Sequence, residues 1–114
     1  MNPLDDLRQR LRAFADARDW EQFHAPKNLA AALIVEAGEL LEHFQWLSEE
    51  RSRALDESTR AAVALEMADV LLYLVRLADQ LDIDLVDAAN RKIALNEKKY
   101  PAQEVFGRSD KRHG

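Results

Sequence analysis

A chain of 114 residues has room for one domain with a modest core, and its 47% hydrophobic and 32% charged residues are the balance of a folded globular protein, not a disordered one. The net charge of −5 argues against a basic face for a nucleic-acid polymer, and the lack of cysteine excludes disulfides and thiolate metal sites. Only three glycines and three prolines stand among abundant alanine and leucine, which favours long helices over a turn-rich β fold; the expected class is all-α.

The opening MNPLDDLRQR holds no apolar run suited to a signal peptide, and no window approaches the ~18 apolar residues of a membrane span, so no membrane association is expected and the expected compartment is the cytoplasm. Asn2-Pro3 reads as an N-cap with proline at the first helical position, and Leu4, Leu7, Leu11, Phe14 and Ala15 recur at helical spacing, predicting a helix over about residues 3–18. RDWEQFHAP then reads as a structured loop. Pro26 opens a second helix, poorly capped by Ala25, that is predicted to run to about Leu47. LSEERSRALDES lacks clean periodicity and reads as a connection, with Asp56 or Ser58 capping the next helix. That third helix, over about 57–81, is apolar on most sides, which predicts burial on most sides, part of it by another subunit. LDID is a tight connection, and Asp84 caps a fourth helix that Pro101 stops. One domain over residues 1–101 and a polar, flexible tail over 102–114 are expected.

Acidic residues stand out against this pattern. On a wheel of about 100° per residue, Leu29, Leu33, Leu40, Phe44 and Leu47 of the second helix share one side, with Glu36 inside that arc and Glu39 at its edge. A buried carboxylate needs a basic partner, a hydrogen-bond network or a metal ion, or it becomes neutral. The third helix repeats the spacing with Glu66 and Asp69, and neither pair has an obvious Lys or Arg at i+4; a salt bridge from Arg76 to Asp69 stays open. Four carboxylates around one point suit Mg²⁺ or Mn²⁺; solvated helix faces are the plainer alternative. Gly38, between the acids, permits close approach of a helix or ligand, or marks a tight crossing. His43 is within reach of a metal or is a surface residue.

Lys92, Asn96 and Lys99 make a polar stripe on the fourth helix that suits phosphate oxygens or is simply solvated, and Tyr73 follows Asp69 on the third. Trp20, Phe23, Phe44 and Trp46 form either core or a platform for a nucleobase. Acids, a Lys/Asn stripe and aromatic rings are together the parts a nucleotide hydrolase needs.

Glu36-x-x-Glu39 followed by Glu66-x-x-Asp69, with RDWEQFHAPKNL, GELLEHFQW, EMADVLLYLVRLA and the closing Lys92, Asn96 and Tyr100-Pro101, resembles the MazG-like all-α nucleoside triphosphate pyrophosphohydrolases over about residues 4–101. The resemblance implies a four-helix bundle completed by assembly as a homodimer or homotetramer. It implies Mg²⁺ on Glu36, Glu39, Glu66 and Asp69, phosphate and sugar contacts from Tyr73, Lys92 and Asn96, and a base pocket near Trp20 and Trp46 with His24 and Asn28 close by. The implied activity is hydrolysis of a (deoxy)nucleoside triphosphate, dCTP or a modified dCTP, to the monophosphate and pyrophosphate, cleansing the nucleotide pool. Leu11 departs from the pattern, standing where dCTP-specific relatives place a histidine near the base. The rival readings are a hydrolase of another nucleotide such as dUTP and a non-catalytic helical oligomerisation module.

Overall fold

The computed structural model describes residues 2–109, and among them it contains helices and turns but no strand. Two compact units divide the chain, the first running through Asp82 and the second from Ile83. The first holds α1 (Pro3–Ala17), a 3₁₀ turn (Glu21–Phe23), α2 (Pro26–Glu42), α3 (Glu49–Ser52) and α4 (Glu57–Gln80). The second holds α5 (Leu85–Lys99) and α6 (Ala102–Val105). None of the described helices is long and apolar enough to cross a membrane.

In the first unit α4 is the spine: α2 packs along it and α1 packs against it. The buried apolar side chains are Ala15 of α1, Leu29 of α2, and Val63, Val75 and Ala78 of α4. Most are small, which lets helix axes approach closely.

The caps follow the sequence. Asn2 Oδ1 accepts from Asp5 N at 2.9 Å, Asp56 Oδ1 from Thr59 N at 2.7 Å, and Asp84 Oδ1 from Asp87 N at 3.0 Å; Asp56, not Ser58, caps α4. Ala25 gives α2 no side-chain cap. The end of α1 is a Schellman motif: Trp20 N donates to Ala15 O at 2.9 Å and Asp19 N to Asp16 O at 3.2 Å, with Asp19 left-handed at φ 52.

Three expectations are corrected. The second helix stops at Glu42, short of Leu47, because the chain tightens into turns in which Phe44 N donates to Leu41 O at 2.8 Å and Leu47 N to Phe44 O at 2.8 Å. The polar connection contains α3, whose cap is Ser48 Oγ accepting from Arg51 N at 3.1 Å. Part of the expected tail forms α6, whereas residues 110–114 of it lie outside the described residues. On α4, part of which the sequence leaves to another subunit to cover, Leu65 is 71% exposed in this chain and Met67 56%.

Candidate functional site

Because α2 lies along α4, the two acidic pairs meet. Carboxylate oxygens of Glu36, Glu39 and Glu66, one from each, all lie within 4.8 Å of one another, and the three side chains are half-buried. Asp69 does not join that group; it is exposed one turn further along α4 and lines the cavity described below. Glu36 Oε2 and Glu66 Oε2 are enclosed and have no hydrogen-bond partner among the described residues, and none of the four acids makes a salt bridge there. Loss of water around Glu36, reinforced by hydrogen bonding and repulsion from Glu39 and by Glu66 and Asp69, pushes its carboxyl from 4.5 up to about 7. Clustered hard oxygens without a basic partner are the donor set of a divalent cation, so the residues fit a metal ion. His43 is not part of the group. A Cβ on Gly38 would touch nothing within 4 Å, so among the described residues no helix makes the close approach its glycine suggested.

A cavity of about 560 Å³ opens beside Asp69, large enough for a small-molecule ligand. Leu7, Leu11 and Phe14 of α1 and Leu72 of α4 supply its apolar wall; Trp20, His24 and Tyr73 add aromatic and polar surface, and Arg10 and Arg76 positive charge. Trp20 meets Phe14 edge-on at 5.6 Å between ring centres, and His24 at 6.4 Å.

The structure thus brings Trp20, His24, Asp69 and Tyr73 to one cavity. Trp46 is not among its lining and is 87% exposed beyond α2. Asn28 is exposed in the first turn of α2, where Nδ2 donates to Phe23 O at 3.2 Å. Lys92 and Asn96 are exposed on α5, in the second unit.

Sequence reasoning missed the network behind the cavity. Arg76 does not pair with Asp69. Its Nε donates to His24 Nδ1 at 3.0 Å, Nη1 to Asp79 Oδ2 at 3.2 Å and Nη2 to Glu21 Oε2. Arg12 grips both oxygens of Asp79, and Gln80 Nε2 donates to Glu21 Oε1 at 3.0 Å. Arg12 above all holds the Asp79 carboxyl below its usual range, while burial, then Arg76, pushes His24 down. The available signal was an arginine within the apolar arc of α4, three residues before an aspartate.

The MazG-like family model matches residues 32–113. The chain belongs to the MazG-like family. It is 47% identical over 100 residues to mouse (Mus musculus) dCTP pyrophosphatase 1 and 46% identical over 101 residues to that of Homo sapiens. These matches cover 86% and 87% of this chain and 59% of each relative, so the chain spans about three fifths of the length of these curated relatives. The crystal structure of a pyrophosphatase from Archaeoglobus fulgidus superposes with a TM-score of 0.83 at 41% identity, covering 89% of this chain and 94% of that one.

Proposed function

We propose that this MazG-like chain is a divalent-metal-dependent nucleoside triphosphate pyrophosphohydrolase that splits dCTP or a modified dCTP into the monophosphate and pyrophosphate, removing unwanted nucleotides from the pool. The observation that carries the reading is the three-carboxylate cluster with two unpartnered enclosed oxygens, next to a ligand-sized cavity that Asp69 lines. The dCTP pyrophosphatase names of its relatives agree with it.

Glu36, Glu39, Glu66 and Asp69 would hold Mg²⁺ or Mn²⁺. When bound, the ion neutralises triphosphate charge and lowers the pKa of water. The base occupies the cavity against Trp20, Leu11 and His24, and Tyr73 orients the sugar or a phosphate. Lys92 and Asn96 offer phosphate donors on α5. One carboxylate of the cluster, Glu39 or another of the four, takes the proton of the attacking water. That water adds across the α–β bridge, whose P–O bond breaks as pyrophosphate departs. The exposed apolar side chains Ile34, Val35, Leu41, Leu65 and Met67 support assembly as a homodimer or homotetramer.

A panel of dCTP, modified dCTP and dUTP with Mg²⁺, assayed for pyrophosphate and orthophosphate, tests this. One pyrophosphate per nucleotide consumed is expected, with the highest kcat/KM on a cytosine nucleotide. Orthophosphate alone would contradict α–β cleavage. Leu11 in the cavity wall makes dUTP the informative competitor, because an apolar side chain there adds no hydrogen bond to choose between the two bases.

A further inference from the structure

His24 has two ring nitrogens, and the structure commits one of them. Arg76 Nε donates to Nδ1 at 3.0 Å. A guanidinium carries only donors, so Nδ1 must be the lone-pair nitrogen, and the proton of the neutral ring sits on Nε2. Arg76 is not free to turn away. It is 4% exposed, its two terminal nitrogens are held by Asp79 and Glu21, and those acids are held in turn by Arg12 and Gln80. With the planar fork fixed at both ends, the direction of Nε–H is fixed too. The charged groups that act on the ring are Arg76 from α4 and Glu21 from the 3₁₀ turn, while Asp69 of α4 and Arg10 of α1 line the same cavity. A second ring proton at Nδ1 would face the Arg76 N–H and is disfavoured.

We propose that Arg76 is a positioning residue that fixes His24 as a neutral Nε2–H donor, and that through this donor the cavity selects a base presenting an acceptor, a ring carbonyl oxygen or an imine nitrogen. The proposal rests on the nucleotide reading above. A histidine free to change tautomer accommodates either a donor or an acceptor, whereas a locked one leaves an opposing N–H unpaired and so rejects it.

The test uses the full chain labelled with ¹⁵N-histidine, its His24 signals assigned by their loss in His24→Gln. Near neutral pH, Nδ1 should resonate as an unprotonated nitrogen and Nε2 as a protonated one. Arg76→Met should mix the tautomers and raise the midpoint at which the ring titrates. Adding dCMP should move the Nε2 signal more than that of Nδ1. His24→Leu should weaken dCMP binding roughly tenfold, the loss of about one hydrogen bond, and His24→Gln, which keeps an N–H donor, should recover most of it. A native ring protonated on Nδ1, or an unchanged ring in folded Arg76→Met, overturns the proposal. So does dCMP binding that leaves Nε2 unmoved or is indifferent to His24→Leu. If Arg76→Met does not fold, the native spectrum and the two His24 variants decide alone. Failure to release pyrophosphate from any triphosphate sinks the functional reading instead, and leaves these ring and dCMP measurements to stand or fall by themselves.

Discussion

Glu36 ties stability to pH in the opposite sense from an ordinary ion-paired acid. Its folded pKa, about 7, lies above its ordinary 4.5. Its contribution is therefore fully present below the lower value and is lost as pH rises through the upper one. Glu21 and Asp79 run the other way: Gln80 and Arg76 lower the first and Arg12 the second, so their contribution is lost as pH falls through their depressed values. Metal-free protein should thus have its highest Tm between the two regimes, near pH 5, and lose Tm toward pH 8. Added Mg²⁺ should restore it at the higher pH. In Glu36→Gln the decline should flatten and the Mg²⁺ response should vanish, along with turnover; differential scanning calorimetry and a pyrophosphate assay read both. A Tm that rises steadily from pH 5 to pH 8 without metal would contradict the enclosure of this carboxyl.

The long helices were legible because each carries several turns of periodic apolar residues and, apart from α2, an Asn or Asp cap. By contrast α3 and α6 have four residues each, too few to show a period. The meeting of Glu36, Glu39 and Glu66 was legible from spacing, since two acids on one face of each helix need only the packing of α2 on α4. What spacing could not choose was the partner of Arg76, because Glu21 and His24 approach it from 52 or more positions away in sequence. That network is the brace between the 3₁₀ turn, α1 and α4. Asp79→Ala removes one partner of a buried arginine and should destabilise by about 3 kcal/mol in urea unfolding. At the end of α4, Asp82 sits left-handed at φ 54. Asp82→Gly should relieve that conformation and stabilise by about 0.5 kcal/mol in the same measurement.

For the whole molecule, the apolar surface left open on α2 and α4 is the feature that a single chain does not explain. Leu65 is more exposed than any residue of the hydrophobic core, and its replacement should act on assembly before folding. Sedimentation is expected to show a dimer or tetramer that Leu65→Glu shifts toward the monomer with little change in helix content. The cavity was harder to foresee than the acid cluster, since its wall draws on α1, on Trp20 and His24 either side of the 3₁₀ turn, and on α4 together, and only their packing makes it concave. The Schellman bond from Trp20 N to Ala15 O has one more outcome. It seats one of the two indoles at the lip of that cavity, while the other, Trp46, stands out in water. Trp46→Phe therefore leaves a single intrinsic fluorophore whose emission should shift when the cavity fills, an optical gauge of occupancy that requires neither turnover nor a dye.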